Sequence, residues 1–222
     1  NMWGAVLPRL TEVWAKTEDC LRIFTGLHKN VVLSGWTSED VRMPEVERIH
    51  RMIHVAGGSS AKGTKQVIAA MRMLPDQRLL LVAKRAPPEA LPQNVDLMVN
   101  PSDLILRGAQ NACLVHLCPS SYEGFGHYIN EARACGAFIV TTNAAPMNEL
   151  VNLACGAGAS PISTSRQHMA THSHVDPGSL ASVIDQVMKA PAATLAMLGA
   201  RARSAYEVDR AAFHSFIQKR LA

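Results

Sequence analysis

The 222-residue sequence has no run approaching about 20 apolar residues and no secretory signal, so we expect a cytoplasmic protein without a transmembrane helix. Aromatic residues make up only 5% of the chain, and its lysines and arginines are scattered, which argues against nucleic-acid binding. The five cysteines form an odd set without a CxxC pair, which indicates reduced thiols. The glycine-containing loops match neither a Walker loop nor a GxGxxG fingerprint.

What is present is a large apolar fraction and a small positive charge. Apolar residues make up 48% of the sequence, enough for one Rossmann-sized core, alone or with a fragment of a second domain. The net charge of +4 suits an anionic small molecule, and it is compatible with peripheral association at an acidic lipid surface.

Apolar runs and helical patterns alternate through the middle of the chain. Five short runs rich in β-branched residues are predicted as buried parallel strands, at 52–56, 79–83, 95–99, 113–117 and 138–142. Stretches with helical spacing lie between most of them, at 65–74, 102–111 and 130–135. This rhythm predicts an α/β fold with a doubly wound parallel sheet.

The two ends fit this rhythm less well. Residues 1–40, with a short apolar stretch at 12–15, a predicted helix at 17–27 and a strand at 31–33, are too few for a domain. We interpret them as a remnant of a preceding domain plus a linker, followed by a Rossmann-like domain at 41–203 and a C-terminal helix at 204–222 within a helical region from 191 onward. The small, polar stretch 156–176 is predicted to be a long loop.

The most informative segment is 120–131, SSYEGFGHYINE, which follows a predicted buried strand. A helix is expected to begin near Gly126 or His127, beyond the carboxyl end of the strand, where open α/β sheets bind ligands. Gly124 and Gly126 would let a ligand approach the backbone, and the first N–H groups of the helix could hold a phosphate. 

Two acids flank the start of that helix. Glu123 lies in the loop before it and Glu131 about two turns into it. A carboxylate accepts two hydroxyl hydrogen bonds at once, so both are suited to sugar hydroxyls. The alternative is that they are ordinary surface acids and that the glycines only shape a turn.

Two further loops follow predicted strands. In 56–64, AGGSSAKGT, small residues leave room for a diphosphate and Lys62 can neutralise it, although a plain turn with a solvated lysine is the alternative. In 141–149, TTNAAPMNE, the N–H groups at Met147, Asn148 and Glu149 could bind sugar hydroxyls or a sugar carboxylate, whereas the Glu149 side chain could simply interact with the helix dipole. Three strand ends are thus expected to converge on one crevice.

The pair Glu123 and Glu131, separated by seven residues in SYEGFGHYINEA, closely resembles the E-x7-E motif of retaining glycosyltransferases of family four, which adopt the GT-B fold. The stretch GSSAKGT at 58–64 resembles their first phosphate-contacting loop, and the resemblance extends over 49–151. It implies that the chain is the C-terminal, donor-binding half of such an enzyme. That enzyme would transfer a hexose from a nucleoside-diphosphate sugar to an unknown acceptor with retention.

The resemblance also implies residue roles. Glu123 would be the catalytic residue that holds the transferred sugar, Glu131 would bind the ribose, and Lys62 would contact the diphosphate. The other implied donor contacts are Gly58, Ser59, Lys84, Val99, Asn100, Gly124, Phe125, Gly126, His127, Met147 and Asn148. No metal or cofactor is expected, because positive charge and helix ends would stabilise the departing nucleoside diphosphate.

The sequence departs from the family pattern in two ways. The usual arginine of the first loop is missing, since Gly57, Gly58 and Ser59 occupy that zone. The N-terminal Rossmann-like domain is also missing, which leaves three readings: a fragment, a partner domain on another chain, or a degenerate protein. The final helix resembles the segment that crosses back toward that domain.

Two other functions and one other site remain open. The chain could be a non-catalytic nucleotide-sugar-binding module that needs a partner chain, or a GT-B epimerase acting on the sugar nucleotide. His168, His172 and His174 could form a metal site, but a solvated histidine-rich loop is favoured because no carboxylate or cysteine lies nearby. For His127, packing at the helix start is favoured over a role as proton donor.

Overall fold

The computed structural model describes residues 5–152 and 154–222, in which a short 3-10 helix (Leu7–Arg9) is followed by a small β-α-β unit. Strand β1 (Val13–Ala15), helix α1 (Glu18–Thr25) and strand β2 (Val31–Leu33) follow one another, and the two strands pair in parallel with Val13 opposite Val31. The helix predicted at 17–27 and the strand at 31–33 are therefore confirmed. Thr17 caps α1 by accepting a hydrogen bond from the backbone N–H of Cys20 at 3.2 Å.

A six-stranded parallel sheet forms the centre of the structure. Its strands are β3 (Ile49–Gly57), β4 (Leu79–Ala83), β5 (Val95–Val99), β6 (Cys113–Cys118), β7 (Phe138–Thr142) and β8 (Gly156–Ala159). They lie in the order β5-β4-β3-β6-β7-β8, and every neighbouring pair is parallel. The strand order reverses between β3 and β6, which is the switch point where doubly wound sheets open a ligand crevice.

Helices cover both faces of this sheet. They are α2 (Thr64–Arg72), α3 (Asp103–Ala112), α4 (His127–Ala134), α5 (Met147–Leu150), α6 (Pro177–Met188) and α7 (Ala192–Leu221). Leu79 and Leu81 of β4 belong to the core cluster that contains α2 and α6, whereas Leu80 and Val82 belong to the cluster against which α3 packs. Because successive strand residues point to opposite faces, this division confirms the predicted doubly wound α/β fold.

The long loop predicted for residues 156–176 is wrong. The stretch contains β8 and an antiparallel hairpin of β9 (Pro161–Gln167) and β10 (Ala170–Val175). In β8 the small residues are a packing requirement, since a Cβ on Gly156 would lie 2.3 Å from Cγ1 of Val151. Because β9 is almost entirely exposed, it needs few apolar residues. The hairpin therefore lacks the apolar alternation by which strands are recognised in a sequence.

The C-terminal region is one continuous helix, α7, which runs through the boundary at 203/204 and closes on the linker after β2. Arg203 makes a two-pronged ion pair with Asp40, with N–O distances of 2.5 and 2.8 Å, and also donates to the carbonyl of Ala134 at 2.9 Å. The hydroxyl of the buried Tyr206 donates to the carbonyl of Ser38 at 2.9 Å. The linker is thereby fixed between α4 and α7.

We expect Asp40→Asn to lower the free energy of unfolding at pH 7 by about 1–2 kcal/mol, because it replaces a charge-assisted pair with a weaker contact. The Arg203 guanidinium lowers the pKa of Asp40 below its usual value. The stabilisation is therefore present above about pH 4, and it is lost as the pH falls through the lower folded-state pKa. Urea unfolding at pH 7 and pH 3 measures it.

The matched control is Asp185→Asn, which removes an exposed ion pair between positions i and i+4 with Lys189 and should cost about 0.3–0.5 kcal/mol. Equal losses of stability for the two variants at pH 7, or an Asp40→Asn loss that is no smaller at pH 3 than at pH 7, would contradict the assignment.

Candidate functional site

The loops after β3 and β6 are pressed together at the switch point of the sheet. Gly63 has a φ of +74°, and a Cβ on it would lie 2.1 Å from the carbonyl oxygen of Pro119. The backbone N–H of Ser121 donates to the carbonyl of Ala61 at 2.8 Å. Only glycine fits this contact, so the first two of the three loops predicted to converge form one joined wall of the crevice.

Glu123 is buried at this wall, with 8% of its surface exposed, and its carboxylate is held by three donors. Its Oε1 accepts from Lys62 Nζ at 2.8 Å and from Ser120 Oγ at 2.5 Å, while its Oε2 accepts from the N–H of Gly126 at 3.2 Å. Burying a carboxylate is costly unless it is paired and hydrogen-bonded, and these contacts meet that requirement. Lys62 and Glu123, predicted separately as site residues, are therefore in direct contact.

Two residues that the sequence reasoning missed complete this cluster. The buried hydroxyls of Ser120 and Tyr128 are hydrogen-bonded to each other, and burial raises the pKa of Tyr128. The Nζ of Lys62 lies 3.7 Å from the centroid of the Tyr128 ring, a cation–π contact. The only signal in the sequence was the position of Tyr128, directly after the predicted helix start at His127.

The first turn of α4 faces the same wall. The helix starts at His127 as predicted, with Gly126 as its N-cap at a φ of +65°. The first N–H groups of a helix have no partner within the helix and carry partial positive charge, so they attract anions. A Cβ on Gly124 would meet no atom within 4 Å, which leaves open space in front of this loop.

Glu131 lies one turn beyond, and its contact with another helix was not foreseen. Its Oε2 accepts from Nε2 of Gln110 at 3.0 Å. Gln110 is in the last turn of α3 and is only 1% exposed. The side chain of Glu131 is therefore oriented by a buried amide, and the residue remains half-buried.

The buried side chain of His54, in β3, is hydrogen-bonded to β6 and to the first residue of α2, after the loop that follows β3. The ring of His54 contacts the carbonyl of Leu117 through Nδ1 at 2.8 Å and the hydroxyl of Thr64 through Nε2 at 2.9 Å. A carbonyl only accepts, so Nδ1 carries the proton and Nε2 accepts from Thr64. Burial lowers the pKa of His54 to about 4, so the ring is neutral near pH 7 and ties β3, β6 and α2 together.

Five other predicted donor contacts lie at the same edge of the sheet. Gly58, Ser59, Lys84, Val99 and Asn100 are exposed at the ends of β3, β4 and β5, with Asn100 in a left-handed conformation at a φ of +46°.

On the side of β7, the whole of Met147 is buried, so the structure does not expose this predicted donor contact, whereas Asn148 is exposed. The neighbouring Glu149 belongs to α5 but caps helix α1. Its carboxylate accepts from the N–H groups of Glu18 at 2.7 Å and Asp19 at 2.9 Å, at the start of α1.

The three histidines do not converge. His172 stacks on Tyr122 at 5.3 Å between ring centroids, and His174 bonds to Ser165, while His168 is exposed at the turn between β9 and β10. Within residues 5–152 and 154–222, no group of three or more His, Cys, Asp or Glu side chains could hold a metal ion. The same part of the chain contains no helix both long and apolar enough to cross a bilayer.

A family model described as glycosyl transferases group 1 matches residues 44–204, which is more than half of the 222-residue chain. The chain belongs to this family. The matched region runs from the linker to the middle of α7, and it includes the whole crevice of this group 1 glycosyl transferase. No curated protein sequence matches the chain significantly.

Solved structures of GT-B glycosyltransferases share the fold. A sucrose-phosphate synthase from Thermosynechococcus elongatus is 19% identical, with a TM-score of 0.76 over 97% of this chain and 59% of that one. Anabaena Alr3699/HepE in complex with UDP-glucose is 17% identical, with a TM-score of 0.70 over 94% and 63%. A glycosyltransferase from Rickettsia africae ESF-5 is 16% identical, with a TM-score of 0.73 over 99% and 64%. The group 1 chain described here thus spans less than two thirds of each of these structures.

The ion pair between Lys62 and Glu123 generates a stability prediction. Lys62→Met leaves a buried carboxylate without its cation, so we expect the free energy of unfolding to fall by about 1–3 kcal/mol. Adding Glu123→Gln should recover most of the lost stability, because the buried charge is then gone. Urea unfolding of the four proteins of this double-mutant cycle measures the coupling.

Lys65→Met, at an exposed position one turn away, is the matched control and should change stability by less than about 0.5 kcal/mol. Additive losses in the double mutant would show that the two side chains are not coupled in solution.

Proposed function

We propose that this chain is the donor-binding part of a retaining glycosyltransferase that transfers a hexose from a nucleoside-diphosphate sugar to an acceptor. The observation that carries the proposal is the cluster of Lys62 and Glu123 at the first turn of α4, placed at the switch point of a Rossmann-like sheet. Membership of the group 1 family supports transfer of a sugar, and UDP-glucose in the Alr3699/HepE structure supports a nucleotide sugar as donor.

The geometry suggests how the donor would be held. A diphosphate offers Lys62 a stronger partner than Glu123 does, since it carries more charge and can also meet the first N–H groups of α4. When Lys62 turns to the phosphates, Oε1 of Glu123 becomes available to a sugar hydroxyl. Glu131 would accept the ribose hydroxyls. Val99 and Asn100, at the exposed end of β5, would face the base, and Lys84, after β4, would assist in binding the phosphates.

In the proposed reaction, the acceptor hydroxyl oxygen bonds to the anomeric carbon as the bond from that carbon to the diphosphate oxygen breaks. The hydroxyl proton leaves with the departing diphosphate, whose charge Lys62 and the N-terminal end of α4 would stabilise. We propose that no metal ion takes part, because these groups already supply positive charge where it is needed.

We also propose that another Rossmann-like domain, preceding this chain or on a partner chain, completes the enzyme. A two-stranded parallel pair such as β1 and β2 is normally part of a larger sheet covered on both faces. Here its surface includes exposed large apolar side chains, namely Val6, Leu10, Trp14, Leu27 and Leu33. Such a domain would cover this surface and would bring the acceptor to the side of the crevice opposite Glu123.

Isothermal titration with UDP and with GDP tests the donor site. We expect at least one of them to bind, with affinity that falls at least about tenfold in Glu131→Ala, since two hydrogen bonds to ribose are lost. Chelation with EDTA should leave binding unchanged. Glu45→Ala, at an exposed position in the linker, is the matched control. The donor-site proposal fails if no nucleotide or sugar nucleotide binds.

The 222-residue chain alone is expected to transfer little or no sugar, because it spans less than two thirds of the enzymes it resembles. A coupled assay for UDP or GDP release with UDP- and GDP-hexoses measures this. Robust turnover by the isolated chain would overturn the requirement for a further domain, whereas binding without turnover even with such a domain would favour a non-catalytic module.

A further inference from the structure

The short helix α5 depends on contacts with its neighbours. It is a single turn (Met147–Leu150), preceded by Pro146 and without a side-chain cap. Its own hydrogen bonds run from the N–H of Asn148 to the carbonyl of Ala144 at 3.1 Å and from the N–H of Glu149 to that of Pro146 at 3.3 Å. A helix this short has too few internal hydrogen bonds to be stable by itself, so tertiary contacts set its orientation.

The carboxylate of Glu149 joins α5 to the β-α-β unit. It accepts from the first two N–H groups of α1, those of Glu18 at 2.7 Å and Asp19 at 2.9 Å, while Thr17 caps the third, from Cys20. Burial raises the pKa of Glu149, so its charge is placed there at a desolvation cost that the two hydrogen bonds offset in part. We call this contact between Glu149 and α1 the clasp.

On its other side, α5 contacts the loop that carries Glu123. A Cβ on Gly126 would lie 2.8 Å from Cδ1 of Leu150, so Leu150 packs directly against the N-cap of α4. The N–H of Gly126 in turn donates to Oε2 of Glu123 at 3.2 Å. A continuous path of contacts therefore leads from the start of α1 to the buried carboxylate, through Glu149, Leu150 and Gly126.

The β-α-β unit and the linker brace the same loop at two further points. The Nζ of Lys16, which directly follows β1, lies 3.4 Å from the ring centroid of Phe125. The ring of Trp36, in the linker, lies 5.2 Å from that of Phe125 and 4.7 Å from that of His127, between centroids. Because Phe125 and His127 flank Gly126, the whole stretch 125–127 is in contact with the unit, the linker or α5.

We propose that Glu149 is a positioning residue for the donor, because the clasp couples the β-α-β unit to the start of α4, so that the clasp and a bound nucleoside diphosphate stabilise each other. The proposal rests on the donor site described under Proposed function, and it adds a residue outside the donor contacts that sets the affinity. Coupling is reciprocal, so a diphosphate that favours the closed clasp binds more tightly when the clasp is closed. The alternative is that Glu149 only caps α1.

Amide hydrogen exchange in the 222-residue chain tests the coupling without a substitution. With UDP or GDP at saturation, whichever binds, the amides of Glu18 and Asp19 should exchange at least about fivefold more slowly, the lower end of typical coupling between sites. The Cys20 amide is an internal control, because its partner is Thr17 rather than the clasp. It should change by less than about twofold, since the opening is local.

Isothermal titration of two variants measures the same coupling through the affinity for the nucleotide. Glu149→Ala removes the clasp and should raise the Kd by a factor similar to that found in exchange, at least about fivefold. Glu149→Gln keeps one acceptor oxygen, so its Kd should fall between those of Glu149→Ala and the parent chain.

Asp176→Ala is the matched control, because Asp176 is also a carboxylate that caps a helix. It accepts from the N–H of Ser179 at 2.7 Å, at the start of α6, and it is absent from the path described above. Its Kd should stay within about twofold of the parent value, as expected for an independent site.

Three results would overturn the proposal: a nucleotide that binds leaves exchange at Glu18 and Asp19 unchanged, Cys20 slows as much as they do, or Glu149→Ala and Asp176→Ala bind the nucleotide equally well. In each case the donor site stands and Glu149 only caps α1. If Glu149→Ala does not fold, exchange in the parent chain decides. If neither UDP nor GDP binds, the coupling fails, and titration with UDP- and GDP-hexoses decides whether the donor site fails too.

Discussion

The burial of the Glu123 carboxylate is the constraint around which the crevice is organised. Removing a charge from water is tolerated only where partners replace the solvent, and here they come from three separate places in the chain. Lys62 comes from the loop after β3, Ser120 from the loop after β6, and the N–H of Gly126 from the start of α4. The arrangement depends on β3 and β6 being neighbours, although residues 58–112 separate them along the chain.

Much of the fold follows from local patterns in the sequence. All five strands predicted from apolar runs exist, because a buried parallel strand needs a continuous apolar run, although β5 lies at the edge of the sheet and is only partly buried. The helices between them were placed to within a few residues. The hairpin of β9 and β10 was missed for the opposite reason. Its strands are held by cross-strand pairing, β9 is almost entirely exposed, and the composition of both strands resembles that of a loop.

The candidate site was predictable by residue type but not by contact. Lys62 and Glu123 stand out as charged residues beside glycines in loops that follow predicted strands, and Glu131 stands out by its spacing from Glu123. The direct ion pair of Lys62 with Glu123 and the hydrogen bond of Gln110 to Glu131 join residues 61 and 21 positions apart. Such contacts depend on sheet order and helix packing, which no local spacing encodes. Glu149 shows the same limit, since its helix-dipole role concerns α1, 130 positions away from it, rather than its own helix.

The contact between Gly63 and Pro119 has a consequence for protein engineering. With 2.1 Å between a would-be Cβ and a carbonyl oxygen, neither loop can be redesigned while the other keeps its path. Exchanging only one of these loops with that of a relative would here create a steric clash or a gap. The loops after β3 and β6 form one interchangeable unit, and a chimaera should take both from the same parent.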